Sequence, residues 1–268
     1  MVPWRGLSLI GTTDTRYEGH PDDFRVTRDA VESFLAEVNG TLPGAHLTID
    51  DVQWTYGGLR PIVESDTAVK EVNKASRRYE IHDHKTEDGI AGLMTVIGGK
   101  YTTSRALAEQ VVERAAIRMN LPVPARASAA YVLPGGRIGT WAGLQTRLMR
   151  EFDISADDAE LWGRTYGTRA IALAEKASAD KKSGERVDPA HIETMAVLDM
   201  AVDEEMAQTV GDVVFRRTGL GTTGVLSEAA IKSIASRMGK RLKWSKERVA
   251  DETRSVSEKL RSRGISPS

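Results

Sequence analysis

The chain has 268 residues, 40% of them apolar and 28% charged, and a formal net charge of −1. That is the composition of a globular protein large enough to bury a core, and bulk charge selects no partner. The absence of cysteine excludes disulfides, thiolate metal sites and a cysteine nucleophile.

Taken in order, Trp4 to Ile10 reads as a strand, closed by Gly11-Thr-Thr-Asp14. A strand with no lead-in is the expectation for a chain that begins in mid-fold. Met1 to Arg5 has neither the basic start nor the apolar core of a signal peptide, and no run of about 18 apolar residues predicts a membrane span. Thr27 is a predicted N-cap for a helix whose Val31, Phe34, Leu35 and Val38 share one face, with Asn39-Gly40 as its end. Leu47 to Tyr56 reads as a strand or strand pair, broken by Gly57-Gly58. Arg60 follows on stiff backbone before Pro61, where a guanidinium serves equally as a solvated surface group or as a clamp on phosphate or carboxylate.

Residues 63–75 are loop-like, and Ser76 to Asp83 alternates as a strand before the turn Lys85 to Gly89. His82 and His84 fall on one face of that strand; with no third ligand at a familiar spacing, a polar strand end is expected and no metal site. Met94 to Ile97 then runs into Gly98-Gly99, Lys100 follows, and Thr102 or Thr103 caps a helix carrying Leu107, Ala108, Val111, Val112 and Ala115 to about Met119. Strand, glycine turn and helix start present free N–H groups to an anion or an electron-rich ring, with a lysine charge beside them.

Pro122-Val-Pro124 marks a linker, and 120–143 is loop-rich. Beyond it helices dominate. One is predicted behind Ser155 (Leu161, Trp162, Tyr166, Ala170, Leu173), and one behind Asp188-Pro189 (Met195, Leu198, Val202, Met206), extended or followed by Val210 to Phe215. Two more follow Ser227 and Ser245. Gly219-Leu-Gly-Thr-Thr-Gly224 has the letters of a dinucleotide fingerprint, but no strand precedes it and the match is rejected. HExxH, Walker A and GxSxG patterns are absent. From Ser227 to Ser268 there are 11 Lys or Arg against 5 Asp or Glu, a solvated face or a surface for nucleic acid or anionic lipid.

Four stretches, Gly11-Thr-Thr-Asp14, Trp54 to Pro61, Ser76-Arg77 and Gly98 to Thr103, resemble in order and spacing the FAD-dependent glycerol-3-phosphate dehydrogenases. Tyr166-Gly167, Asp203 to Met206, Asp212 to Leu220 and Trp244-Ser245 are similar to that family's helical C-terminal domain. The resemblance implies an α+β chain: residues 1–121 as the end of a catalytic body that binds FAD and substrate, and 122–268 as an all-α domain. It also implies that the family's N-terminal FAD-binding region, with its GxGxxG and most FAD contacts, is missing. The chain alone is then inactive and does not retain FAD.

Residue by residue, the resemblance makes Arg60 and Arg77 the anion pocket for sn-glycerol 3-phosphate. It makes Lys100 the catalytic lysine beside substrate and flavin, and Gly99, Lys100, Tyr101 and Thr102 the cofactor-binding turn. The implied reaction is oxidation to dihydroxyacetone phosphate, with electrons passed to the quinone pool by a cytoplasmic enzyme peripheral on the inner face of the cell membrane. A homodimer is a compatible assembly, and no nucleic acid is implied. The alternatives are a glycerol-3-phosphate oxidase and, in another class, a non-catalytic helical module binding an anionic partner through its basic end.

Overall fold

The computed structural model describes residues 1–60, 79–98, 100–223 and 226–266. In chain order it has a hairpin of β1 (Val2–Trp4) and β2 (Leu7–Leu9), helix α1 (Arg28–Thr41), strand β3 (Tyr79–Asp83), the short helix α2 (His84–Glu87), strand β4 (Met94–Gly98) and helix α3 (Ser104–Arg118). Then come α4 (Trp141–Phe152), α5 (Ala156–Tyr166), α6 (Arg169–Ala179), α7 (Lys181–Gly184), α8 (Met195–Asp203) and α9 (Val210–Asp212), which runs into a π-helical turn at Val213–Arg217. Helices α10 (Glu228–Leu242) and α11 (Lys246–Arg261) follow. Small antiparallel strand pairs followed by helices are the α+β arrangement that the sequence predicts.

Contacts divide the chain into two units. One comprises Met1–Ile10, Arg25–Gly57 and Leu133–Ser268; the other comprises Gly11–Phe24 and Gly58–Val132.

The first unit is built on α8. Every residue from Met195 to Val202 is buried, as expected for a helix apolar all round. Leu198, Ala201 and Val202 face one cluster with Val210, Val213, Ile231, Ile234 and Met238, while Ala196, Val197 and Met200 face another with Leu148, Trp162 and Leu173. The helix starts are fixed locally. The side chains of Thr27, Ser155, Ser227 and Ser245 accept from backbone N–H groups in the first turns of α1, α5, α10 and α11, as predicted. Early elements join this unit too. The Ser266 N–H donates to Val26 O at 2.8 Å, the Thr55 N–H donates to Arg263 O at 2.9 Å, and Trp54 stacks on Phe215 with centroids 5.1 Å apart.

Several predicted elements differ. The strand from Trp4 to Ile10 is a hairpin, turned at Arg5 and Gly6, both with positive φ, as hairpin turns favour. Asn39-Gly40 does not stop α1. The Asn39 amide instead bonds the N–H and C=O of Leu47, both at 2.8 Å, so it spends its hydrogen bonds outside the helix. Leu47 to Tyr56 forms no strand; Thr48 and Asp51 make a reciprocal cap around the 3-10 turn Ile49–Asp51. The segment Lys85 to Gly89 begins inside α2, which Asp83 caps. Helix α4, capped by Thr140, lies where no helix was predicted.

The helix predicted behind Ser155 is two helices, broken at Gly167. Asp188 caps no helix beginning at Pro189. It accepts from the N–H and hydroxyl of Ser227 at 3.1 and 2.6 Å, and α8 starts only at Met195, with Met206 beyond its end and 79% exposed.

Candidate active site

The second unit holds the segment on which the predicted site depends. Strands β3 and β4 pair antiparallel from Tyr79 opposite Gly98 to Asp83 opposite Met94. Helix α3 fastens to this hairpin through a polar stripe at i, i+4, i+8. Gln110 donates to the Tyr79 hydroxyl, Arg114 to Ile81 O at 2.9 Å, and Arg118 to the Asp83 carboxylate and, at 2.7 Å, to Thr86 Oγ1. The opposite pull comes from Glu109 and Glu113, which hold Ser128 and Arg126 of the following loop.

Between β4 and α3 the chain makes a tight passage. Gly98 has φ of +73°, a left-handed conformation that suits glycine. Lys100 is extended, and Tyr101–Thr103 form a 3-10 turn that leads straight into α3. Thr103 is the cap residue by position but not by chemistry. Its hydroxyl donates to Lys100 O at 3.1 Å, and the Ser104 hydroxyl donates to Tyr101 O at 2.7 Å, so the two tie the turn from within. Lys100, Tyr101 and Thr102 are exposed, Tyr101 almost completely at 99%. Among the described residues the Lys100 ammonium has no ion-pair partner.

Arg60 belongs to the same unit and is exposed. Its Nη2 lies 3.1 Å from Asp14 Oδ2. The ion pair joins Asp14 of the Gly11-Thr-Thr-Asp14 stretch to Arg60, 46 positions on, a pairing that no local pattern predicts. Arg77 and Gly99, the remaining predicted site residues, lie outside the described residues.

A second polar cluster on this hairpin departs from expectation. His82 and His84 do share a face, with ring centroids 4.4 Å apart, but they are not alone. Asp88 Oδ2 lies 2.9 Å from His82 Nε2 and 2.5 Å from His84 Nδ1, Glu87 Oε2 is 2.8 Å from His82 Nδ1, and Thr95 Oγ1 is 2.8 Å from His84 Nε2. The third ligand type that spacing did not supply comes from the turn of α2. Hydrogen bonding to Asp88 raises the His82 pKa above its ordinary value against the opposing effect of burial, and hydrogen bonds from His82 and His84 lower that of Asp88.

Set against known proteins, residues 127–249 match the family model described as the C-terminal domain of alpha-glycerophosphate oxidase. The chain is 30% identical over 249 residues to glycerol-3-phosphate dehydrogenase of Synechocystis, covering 92% of this chain and 44% of that protein. It is 33% identical over 224 residues to aerobic glycerol-3-phosphate dehydrogenase of Escherichia coli, covering 82% of this chain and 43% of that one. The fold superposes on the crystal structure of the Bacillus halodurans glycerol-3-phosphate dehydrogenase complexed with FAD. The TM-score is 0.74 at 25% identity, over 93% of this chain and 48% of that one. The chain belongs to the C-terminal portion of the FAD-dependent glycerol-3-phosphate dehydrogenase family. It spans a little under half the length of these relatives.

Two of the stretches that resemble the C-terminal domain of the glycerol-3-phosphate dehydrogenases, Tyr166-Gly167 and the end of Asp212 to Leu220, have structural explanations here. At Gly167, with φ of +55°, a Cβ would lie 2.0 Å from Gly135 O, and the Thr168 N–H donates to that same oxygen at 2.9 Å. Two backbones therefore touch, which only glycine allows. Beside it Tyr166 is largely buried. Burial first, then the negative charges of Glu193 and Glu205, push its pKa far above the usual phenol value, so it stays neutral. A Cβ at Gly219 would run into the Arg5 guanidinium, which pairs with the buried Glu193, and one at Gly221 would meet the Phe215 ring. These glycines serve close packing in a turn that no strand precedes.

The basic end of the chain is largely spoken for. Lys232, Arg237, Arg241, Arg248, Arg254 and Arg261 are in ion pairs, Lys259 lies over Phe215, and Arg263 donates to the carbonyls of Ile49 and Val52.

Proposed function

We propose that the chain forms part of an FAD-dependent enzyme that oxidises sn-glycerol 3-phosphate to dihydroxyacetone phosphate. The observation that carries this reading is the passage from β4 through Lys100 into α3, exposed in a chain whose family includes an FAD-complexed relative. The N–H groups of Tyr101 and Thr102 open a helical turn and are not consumed by it, so they fit an electron-rich ring edge. FAD supplies the hydride acceptor. Lys100 would bring an ammonium that favours the alkoxide as the substrate hydroxyl gives its proton to a general base in the part of the enzyme outside this chain and C2 gives its hydride to the flavin. Arg60 and Arg77 supply guanidinium groups for the phosphate. In the resting chain Asp14 holds Arg60, and phosphate would exchange for that carboxylate.

Electrons then pass to a quinone at a membrane surface. No described helix is long and apolar enough to cross a membrane. The family model's name, an oxidase, supports oxygen as the competing acceptor. By itself the 268-residue chain is expected to hold FAD weakly or not at all; stoichiometric yellow flavin in the purified chain would overturn that.

A chimera tests the activity. This chain replaces the aligned part of the Bacillus halodurans enzyme, and glycerol-3-phosphate-dependent reduction of a quinone analogue is measured against oxygen consumption. Arg60→Ala should raise KM roughly tenfold or more at little change in kcat, and Lys100→Ala should lower kcat by about 10²-fold. A folded, flavin-loaded chimera without turnover would refute the proposal, and unchanged kinetics in both variants would refute the residue roles.

A further inference from the structure

The β3–α2 corner has the organisation of a metal site. Two imidazole nitrogens and a carboxylate oxygen converge, His82 Nε2, His84 Nδ1 and Asp88 Oδ2, and the donor atoms of these three residues all lie within 4.8 Å of one another. His82 near the end of β3 and His84 at the start of α2 bring their rings together, centroids 4.4 Å apart, while Asp83 between them turns away to Arg118. Asp88 is carried back over the rings by the turn of α2, where its N–H donates to His84 O at 2.9 Å.

The outward nitrogens are the telling feature. His82 Nδ1 is held by Glu87, and His84 Nε2 by Thr95, which stands opposite His82 in the β3–β4 register. A metal-ligating histidine characteristically has its second nitrogen fixed by a carboxylate or another polar group, which sets the tautomer and aims the ring. Both rings here are aimed in that way, and at the same point.

We propose that His82, His84 and Asp88 bind a divalent transition-metal ion of the zinc type, with Glu87 and Thr95 orienting the two rings. Bonds of about 2.0–2.1 Å in tetrahedral geometry separate ligands by roughly 3.3 Å. The observed separations of 2.9 and 2.5 Å therefore need to open by less than an ångström to admit the ion. Two neutral imidazoles and one carboxylate leave a fourth position for water, and the partial exposure of all three residues gives an entry path.

The test uses the full chain stripped with chelator. Zn²⁺ is titrated by calorimetry, and long-range ¹H–¹⁵N spectra follow the histidine ring nitrogens. One ion per chain is expected, with His82 Nε2 and His84 Nδ1 shifting as ligands. His82→Asn and His84→Asn should abolish the binding, Glu87→Gln and Thr95→Val should weaken it about 10- to 100-fold, and His20→Asn should leave it unchanged. Circular dichroism of each variant reports folding, and Glu87→Gln leaves all three ligands in place. No saturable binding, or binding that survives His82→Asn and Glu87→Gln alike, would overturn the proposal and leave the corner as a hydrogen-bonded polar cluster.

Discussion

Replacing Asp199 by asparagine keeps the size of the side chain and removes the charge on which the centre of the helical unit depends. Asp199 has no exposed surface, and its carboxylate meets Arg237 Nε at 2.7 Å, Arg237 Nη2 at 2.6 Å and Arg241 Nη2 at 2.8 Å, with Lys176 Nζ at 3.8 Å. In the variant, three cations face a neutral amide whose NH₂ group cannot accept a hydrogen bond from either guanidinium. Breaking a buried pair by removing one partner costs about 3–5 kcal/mol. The cations are 22–36% exposed and Asp203 remains beside Arg241 and Lys176, so water and that second carboxylate recover part of the loss.

The expectation is a loss of about 2–4 kcal/mol. For a protein of this size that is a fall in Tm of roughly 5–12 °C. Arg241→Ala, which leaves Asp199 its two contacts with Arg237, should cost only about 1 kcal/mol. Helical circular dichroism through thermal and urea unfolding gives both values. A loss in Asp199→Asn no larger than that in Arg241→Ala would refute the claim that this carboxylate is the electrostatic centre of the unit.

Gly167→Ala combines a positive-φ penalty of about 1–2 kcal/mol with a backbone clash costing about 1–3 kcal/mol more. The helical unit should melt well below the parent, and an unchanged Tm would show that the Gly135–Gly167 contact relaxes freely. Asp188, whose burial is outweighed by hydrogen bonds from the Ser227 hydroxyl and from backbone N–H groups, has its pKa held below the ordinary 3.8, as do Asp180 and Asp212. Their stabilisation is present above that ordinary value and is lost as pH falls through the lower folded-state values. Asp188→Asn should therefore be less stable than the parent by about 1–2 kcal/mol at pH 7, a difference that shrinks in acid-unfolding curves as the pH falls below that ordinary value. Because most cations of the last two helices already have partners, the chain should fail to retard duplex DNA at about 150 mM salt; a salt-dependent shift by several lysines' worth of phosphate contacts would contradict that.

What could be read ahead of the structure was local. Thr27, Ser155, Ser227 and Ser245 were legible as caps because a hydroxyl that accepts from an N–H three residues on needs no information from elsewhere. The strand, glycine turn and helix around Lys100 were legible for the same reason, and so was the helical character of the second half. Helix α4 was missed because its buried face rests on Leu144 and Leu148 with a glycine at 143, a thin signal next to a loop rich in glycine. Of the candidate site, the lysine turn and Arg60 were visible as residue types, whereas the Asp14 partner of Arg60 was not.

The sequence by itself determined where most helices begin, the order of the family's motifs, and the residue types available to bind an anion. Those properties depend on neighbours within a turn or two. Only the tertiary structure decided that Asp88 and Glu87 close around His82 and His84, and that residues 1–10 and 25–57 pack with the C-terminal helices. It also decided that Asp188 serves Ser227 rather than a helix of its own. Each of those is a contact between groups whose meeting depends on how intervening chain folds back, and a buried polar group accepts whichever partner that path delivers.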